Sequence, residues 1–359
     1  MSQETCFNGT PYATLPALPR PVANPPNPWL STQVEYLEDV PMANLEVFEE
    51  DARTIVNRND SPDVPFNWSV NPYRGCYHGC AYCYARPTHE YLGWGAGTDF
   101  DRKIVVKRNA PELLRSAFEA RGWKGDVLAF SGVTDCYQPL EASYQLTRRC
   151  LEVCLEYRNP VGVVTKGALV GRDTALLAQL GAEAGCIVSI SIPFADDEGG
   201  RQIEPFASTI SKRFAALEQL SAAGVRTGVG ISPIIPGLND SQIPAILRRA
   251  RACGAQHAFM TMLRLPGSVL PVFKERLEAA VPLRASAVLS AIRDIRGGDL
   301  NRSTFGERMT GQGPRWQAIE QLFTTTARRL GFDTDESLAH PARNAFRIPR
   351  RQRSLFGDD

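Results

Sequence analysis

Residues 76–83 read Cys-Tyr-His-Gly-Cys-Ala-Tyr-Cys and place Cys76, Cys80 and Cys83 in a CxxxCxxC array. Thiolates select soft metals, either zinc or the irons of an iron–sulfur cluster. A closed structural site needs four ligands, and no fourth cysteine lies near these three. Three thiolates on a cubane of four irons leave one iron open to a small molecule. The array therefore points to a cluster whose open iron binds a ligand.

Three other interpretations of the three cysteines are considered, and the first is a chance spacing of unrelated core thiols. A zinc site would need a fourth ligand, and His78 or His89 is available for that role. A disulfide framework is disfavoured, because nine cysteines in 359 residues without a recognisable signal peptide do not fit a small secreted protein. The flanking residues favour a cofactor site. Gly75 and Gly79 permit turns with positive φ, and Arg74 and His78 supply donors that tune a cluster.

The composition limits the possible partners. Hydrophobic residues make up 43% of the chain, which supports a substantial core, and no apolar run approaches the length of a membrane span. We therefore expect no membrane partner. The net charge of +1 disfavours an extended nucleic-acid surface, although it allows a local basic groove. Free thiols and an oxygen-sensitive cluster indicate a reducing compartment, the cytoplasm.

The chain divides into four predicted parts. Residues 1–64 form a proline-rich, extended or disordered arm followed by an acidic wrap over the core, and regular structure begins near Pro65. Residues 65–268 form the main α/β domain. Residues 269–332 form a C-terminal helical cap, with helices over 269–280, 283–295 and 315–330. Residues 333–359 form a basic, flexible tail whose charges are solvated or contact a partner.

Within residues 65–268, apolar runs alternate with amphipathic helices, two of which end at Gly224 and Gly254. Such alternation predicts a parallel sheet with crossover helices. With six or more units, a full or partial (β/α) barrel is the economical closure, and its active site lies at the carboxyl ends of the strands. The strand candidates are Phe66 to Val70, Lys103 to Val106, Val127 to Phe130, Val161 to Thr165, Ile187 to Ile192, Thr227 to Ile235 and Ala258 to Leu263.

A longer set of motifs narrows the interpretation. The stretch RNDSPDVPFNWSVNPYRGCYHGCAYCYARPTHEYLG contains the three cysteines. It resembles the spore photoproduct lyase-like branch of the radical S-adenosylmethionine (SAM) superfamily, and within it a widespread bacterial group whose substrate is not established. The resemblance runs from about residue 54 to 332. It continues, in the same order, through SGVTDCYQPLEA, NPVGVVTKGALVGRD, ISPIIPGLND, LRLPGSV and FGERMTGQGP.

The resemblance implies a partial (β/α)6 TIM-like barrel, one [4Fe–4S] cluster and SAM. Cys76, Cys80 and Cys83 would hold the cluster, and SAM would chelate the open iron. One electron would then cleave the sulfonium bond and form a 5′-deoxyadenosyl radical that takes hydrogen from a substrate. The electron would come from a carrier such as flavodoxin or ferredoxin.

The resemblance also implies a SAM site. Tyr82 would lie near the adenine, and Lys166 would bind the SAM carboxylate, for which a point cation is a suitable partner. Ser189 and Ser191 alternate on one strand, so they face the same side and would reach the ribose or carboxylate. The segment that contains Ser232 and Pro233 would flank the adenine. The residues expected near the SAM amino group are Ser131, Gly132, Thr134 and Asp135.

Two residues are candidates for radical chemistry on the substrate. Cys136 follows a predicted strand end where the group usually has proline, and its thiol would donate a hydrogen atom or form a carbon–sulfur bond; alternatively, it is a tolerated replacement. Tyr84, directly after the triad, would relay a hydrogen atom or pack against the cluster. Cys150 and Cys154 on one helix, and likewise Cys186 and Cys253, are expected to be core residues, whereas Cys6 lies in the predicted arm.

Other departures from the group suggest an altered substrate. They are the acidic run Asp196, Asp197 and Glu198 and the pair Asn301 and Arg302. The leading hypothesis is a radical SAM enzyme that remodels a small, nucleoside-like natural product by carbon–sulfur or carbon–carbon chemistry. One alternative is a nucleic-acid repair or modification lyase. Another is a non-enzymatic structural or sensor module that carries zinc or a cluster.

Overall fold

A computed structural model of the chain describes residues 44–333 and 345–349. The predicted proline-rich arm and most of the predicted basic tail lie outside these described residues. Ten strands are present in the described part: β1 (Glu46–Glu50), β2 (Val56–Arg58), β3 (Trp68–Val70), β4 (Tyr73–Arg74), β5 (Lys103–Lys107), β6 (Leu128–Phe130), β7 (Val161–Thr165), β8 (Cys186–Ser191), β9 (Arg226–Ile234) and β10 (His257–Met262).

Seven strands form the main sheet, in the order β10-β9-β8-β7-β6-β3-β2. Its six strands from β3 to β10 pair in parallel, and β2 joins the outer edge antiparallel to β3. Since β10 and β2 end the order, the sheet is open. The predicted mixed α/β fold with a partial barrel of six parallel strands is therefore confirmed.

Helices pack against the main sheet, and its central strands are mostly buried. All six residues of β8 are buried, as expected for a parallel strand with both faces covered. The α-helices are α1 (Thr98–Arg102), α2 (Ala110–Glu119), α3 (Glu141–Tyr144), α4 (Leu146–Glu156), α5 (Thr174–Glu183), α6 (Asp197–Ile203), α7 (Ile210–Ala222), α8 (Ile243–Ala252), α9 (Val269–Ala280), α10 (Pro282–Arg296) and α11 (Gly313–Arg329).

The helices α7 and α8 end at the glycines that the sequence predicts as helix ends. Thr209 caps α7 by accepting a hydrogen bond from the backbone of Lys212, and Gly224 follows the helix with a φ of 82°. Gly254 follows α8 with a φ of 90°. The three predicted C-terminal helices are confirmed, and α11 packs against α8 and α10. No helix in the described ranges is long and apolar enough to cross a membrane.

Two expectations about the strands need correction. The strand at Lys103–Lys107 exists, but it lies in a separate three-stranded sheet, parallel to β1 and antiparallel to β4. Regular structure also begins before Pro65, because β1 and β2 both belong to the expected wrap. β1 and β2 are short and mostly exposed, so they carry little hydrophobic pattern. β5 is mostly buried, but its place depends on pairing with β1, which lies far away in the sequence.

Candidate functional site

The three cysteines of the triad line one cavity of about 830 Å³. They lie on the loop between β4 and a 3₁₀ helix over Arg86–Leu92. Cys76 and Cys80 are 6% and 7% exposed, and all three are free thiols. Gly75 and Gly79 have φ of 75° and 64°, and a Cβ on Gly79 would approach the Phe206 ring to 2.9 Å. The loop therefore needs glycine at both turns, as the sequence predicts.

Two arginines, Arg86 and Arg276, hold the loop through its backbone carbonyls. Arg86 is fully buried and donates to the Cys80 carbonyl at 2.8 Å and to Asp101 at 2.9 Å. Arg276, from α9, donates to the Gly79 carbonyl and to the other oxygen of Asp101. Charged donors on backbone carbonyls make strong hydrogen bonds. These contacts position the loop through its backbone carbonyls and leave the cysteine sulfur atoms available to bind a metal group.

The thiols are chemically suited to bind a soft metal group. Burial raises the pKa of Cys80 to about 12 and raises the pKa of Cys76 and Cys83 as well. The unliganded thiols are therefore protonated at neutral pH, and binding of a cluster must displace their protons. Three soft donors on one cavity wall fit a [4Fe–4S] cluster with one open iron. Across residues 44–333 and 345–349, no group of three His, Cys, Asp or Glu side chains is arranged to hold a single metal ion.

The two histidines considered for zinc have different positions. His78 lines the cavity, and its Nδ1 lies 3.4 Å from Oδ2 of Asp135. His89 packs behind the loop, where its Nε2 lies 2.8 Å from the carbonyl of Lys103. The structure does not bring His89 to the cavity wall, so of the two only His78 is available there.

Asp135 joins the carboxyl ends of two neighbouring strands. Its oxygens accept hydrogen bonds from Thr165 at 2.5 Å and from the backbone of Lys166 at 2.7 Å. Burial alone would raise the pKa of Asp135, but His78 and these two donors hold it well below its usual range. Asp135 is therefore an ionised anchor of the cavity wall.

Lys166 and Tyr82 form a second polar group beside Cys80. The Lys166 ammonium lies 5.6 Å from the centre of the Tyr82 ring. The Tyr82 hydroxyl donates to Glu204, which also pairs with buried Arg213 at 2.5 Å. Burial and then Glu204 raise the pKa of Tyr82 well above its ordinary value, so Tyr82 stays protonated. Lys166 carries a positive charge on the cavity wall close to the cluster loop.

The remaining predicted SAM contacts line the same cavity, and most already have a partner. Ser131 has a φ of 80°, which is rare for a residue other than glycine. Ser189 Oγ lies 2.9 Å from Nε2 of His257, and Ser232 hydrogen-bonds to Thr261. The predicted residues brought together here are Tyr82, Ser131, Gly132, Thr134, Asp135, Lys166, Ser189, Ser191, Ser232 and Pro233.

The two radical candidates are separated. Tyr84 lines the cavity, is 51% exposed, and donates from its hydroxyl to the Gly132 carbonyl at 2.6 Å. Cys136 is fully buried and does not line the cavity, although it lies next to Asp135, which does. The chain turns inward at this point, and the Cys136 backbone hydrogen-bonds to Ser131 and Thr147. The expectation that Cys136 reaches the substrate is therefore not supported.

Four of the five other departures from the group make structural contacts. Asp196 caps α6 by accepting from Gly199 at 2.8 Å, and Asp197 accepts from the backbone of Ser211 at 2.7 Å. Asn301 accepts from the backbone of Leu265 at 2.9 Å. Arg302 pairs with Glu307, also at 2.9 Å. None of these four acidic or polar residues lines the cavity described above, so they do not support the expectation of an altered substrate.

The structure adds cavity residues that the sequence analysis does not identify. His257 reaches the cavity from the start of β10, and Arg264 reaches it from just beyond the end of that strand. Lys107 and Asn71 line another part of the wall. Of these four residues, only Arg264 could have been predicted from the sequence, because residues that directly follow a barrel strand lie on the active-site side.

Comparison with known proteins agrees with this geometry. The family model of the radical SAM superfamily matches residues 70–250. An uncharacterized protein of Mycobacterium tuberculosis is 36% identical over 221 residues, 61% of this chain and 65% of that protein. The match therefore spans less than two thirds of that relative. An uncharacterized protein of Methanocaldococcus jannaschii is 31% identical over 203 residues, 55% of this chain and 71% of that protein.

Among solved structures, spore photoproduct lyase complexed with dinucleoside spore photoproduct superimposes with a TM-score of 0.58. The match covers 80% of each chain at 15% identity. At that identity, the likeness concerns the fold alone.

Proposed function

Because the chain belongs to the radical SAM superfamily, we propose that it uses a [4Fe–4S] cluster to cleave SAM reductively and start hydrogen abstraction from a substrate. One observation carries this proposal. The three cysteines of the triad and ten predicted SAM contacts line a single cavity at the cluster loop. We also propose that a flavodoxin or ferredoxin supplies the electron in the cytoplasm.

The proposed roles of the residues follow from their positions. A bound cluster would supply the electron that converts SAM to a 5′-deoxyadenosyl radical. Cys76, Cys80 and Cys83 would hold it. Lys166 would bind the SAM carboxylate, because it is a cavity-facing ammonium beside Cys80. The near-complete burial of Cys76 and Cys80 limits the access of water, which protects radical chemistry.

We propose a small, nucleoside-like natural product as the substrate, remodelled by carbon–sulfur or carbon–carbon chemistry. A cavity of about 830 Å³ lies within the size range of small-molecule sites. The likeness to a lyase complexed with a dinucleoside photoproduct also supports a second candidate, a nucleic-acid repair or modification lyase. The two differ in a simple measurement, since nucleic-acid binding weakens steeply with salt.

The proposal is tested by anaerobic reconstitution of the full chain, addition of SAM and dithionite, and quantification of 5′-deoxyadenosine. We expect about four irons and four sulfides per chain and formation of 5′-deoxyadenosine. One zinc per chain in protein isolated anaerobically, with no 5′-deoxyadenosine, would contradict the proposal and favour the structural or sensor module.

Tyr84 offers a separate test of hydrogen-atom relay. Tyr84→Phe removes the hydroxyl that donates to the Gly132 carbonyl at 2.6 Å and leaves the ring in place. We expect unchanged iron content, an unchanged electron paramagnetic resonance spectrum of the reduced cluster with SAM, and unchanged 5′-deoxyadenosine. Product formed per 5′-deoxyadenosine should fall by at least about tenfold.

The matched control is Tyr91→Phe, which removes a hydroxyl from a tyrosine that is 72% exposed at the same cavity. It should leave the product ratio unchanged. Loss of iron or a changed cluster spectrum in Tyr84→Phe would show instead that Tyr84 packs against the cluster.

A further inference from the structure

Arg264 has no carboxylate partner among the residues that the structure describes. It follows β10 at the carboxyl edge of the sheet, lines the cavity and is half-buried. Its guanidinium carbon lies 5.4 Å from the centre of the Tyr84 ring, and Nη1 lies 3.8 Å from the sulfur of Met309. Within the described residues, no Asp or Glu oxygen lies within 4.0 Å of Arg264.

The neighbouring cation, Arg308, does have a carboxylate partner, so Arg264 and Arg308 differ in this respect. Arg308 lines the same cavity and forms an ion pair with Asp63, whose other oxygen accepts from the backbone of Gly306 at 2.6 Å. Asp63 is thus already occupied by Arg308 and Gly306. Burial and then the charge of Arg308 lower the pKa of Arg264, and the charge of Asp63 offsets only part of this lowering.

Lys107 is a second cation on the cavity wall that pairs with no carboxylate of the described residues. Lys107 is 5% exposed, and its ammonium donates to the Asn71 carbonyl at 3.0 Å. Burial and then Arg74 lower its pKa to about 8. No Asp or Glu oxygen in the described part of the chain lies within 4.0 Å of the Lys107 ammonium. The wall therefore carries positive charge at Arg264 and Lys107 that no described carboxylate pairs with directly.

A guanidinium in a cavity whose N–H donors lack oxygen acceptors can bind an anionic ligand. Arginine has five N–H donors in a planar fork, and a contact with an aromatic ring and a thioether leaves most of them without an oxygen acceptor. A phosphate or carboxylate satisfies two of them at once, in a bidentate geometry with strong, charge-assisted bonds. The site also adjoins the radical chemistry, because Tyr84 directly follows the ligand Cys83.

We propose that the substrate carries an oxyanion group, a phosphate or a carboxylate, that binds Arg264 beside Tyr84. The inference rests on the proposed function, since it assigns the substrate side of the same cavity. Arg264 would act as a specificity-determining residue, and Lys107 would add long-range attraction to the anion.

The test uses the full chain with its cluster reconstituted and SAM at saturation, so that the carboxylate of SAM occupies its own site. Inorganic phosphate and malonate are titrated anaerobically by calorimetry. We expect one of them to bind saturably with one site per chain, and Arg264→Gln to weaken that binding by at least about tenfold. Tighter binding of phosphate would indicate a phosphate ester, and tighter binding of malonate a carboxylate.

Three comparisons separate anion binding by Arg264 from the loss of one positive charge and from disorder of the site. Arg248→Gln removes the same charge from an exposed position on α8 and should bind the anion as wild type does. Arg264→Lys should retain part of the affinity. SAM affinity should be equal in wild type and Arg264→Gln. A lower SAM affinity in the variant would show instead that the substitution disorders the site.

The inference fails if neither anion binds saturably up to about 10 mM, or if Arg264→Gln binds as tightly as wild type. Dithionite is then added to the same samples as the electron source, and 5′-deoxyadenosine is quantified. Its formation without anion binding would overturn this inference alone, whereas anion binding without any 5′-deoxyadenosine would overturn the proposed function.

Discussion

Cys80→Ala will contain no intact [4Fe–4S] cluster and will form 5′-deoxyadenosine only at the level of a protein-free control. Cys80 is 7% exposed, its carbonyl is held by Arg86, and its sulfur faces the cavity. Alanine removes one of three thiolates, and the two that remain cannot hold a cubane that also needs an open iron. Iron and sulfide analysis, the absorbance near 400 nm, and quantification of 5′-deoxyadenosine check the result.

Cys154→Ala is the matched control. Cys154 is also a fully buried cysteine, but it lies on α4 away from the cavity wall. Loss of its sulfur leaves a small hole in the core and lowers stability by about 1 kcal/mol, without loss of iron. Full iron content in Cys80→Ala, or equal loss of iron in Cys154→Ala, would contradict the assignment of the triad.

Glu204→Ala will lower the free energy of unfolding by about 3–5 kcal/mol. Glu204 and Arg213 form an ion pair at 2.5 Å, with side chains 0% and 1% exposed. Removing the carboxylate leaves the Arg213 charge buried with only backbone carbonyls, those of Ser191 and Ser208, as partners. The hydroxyl of buried Tyr82 loses its acceptor at the same time. Denaturant unfolding of the metal-free chain under reducing conditions measures the change.

Two further variants test whether the loss of stability in Glu204→Ala comes from the burial of the ion pair. Glu112→Ala removes one partner of an exposed ion pair, since Arg149 and Glu112 are 46% and 61% exposed at 2.9 Å, and should cost less than about 1 kcal/mol. Glu204→Gln keeps an acceptor for Tyr82 and should fall between Glu204→Ala and wild type. Equal losses in Glu204→Ala and Glu112→Ala would show that the buried pair does not support the wall behind Cys80.

Local sequence signals were sufficient for the repeating part of the fold. The run Val161–Thr165 has the strand bounds that its apolar pattern predicts, and α9 has the predicted bounds Val269–Ala280. These elements are determined by side chains near one another in the chain, by hydrophobic spacing, caps and terminal glycines. The same holds for the cluster loop, whose cysteines and glycines lie within nine residues, 75–83.

Long-range packing decided the rest. Cys136 and Asp135 are neighbours in sequence, yet only Asp135 lines the cavity, because the chain turns inward after it. The strand β5 leaves the main sheet because β1, more than fifty residues earlier, pairs with it.

By itself, the sequence determined the superfamily, the α/β class and the three sulfur donors, since each depends on residue types at fixed, short spacings. Only the tertiary structure decided that Tyr82 hydrogen-bonds to Glu204, 122 residues away. It also decided that Arg264 lies over the Tyr84 ring and pairs with no carboxylate of the described residues. Such contacts depend on how separate elements pack and on which charges remain unbalanced after packing. A linear pattern carries neither kind of information.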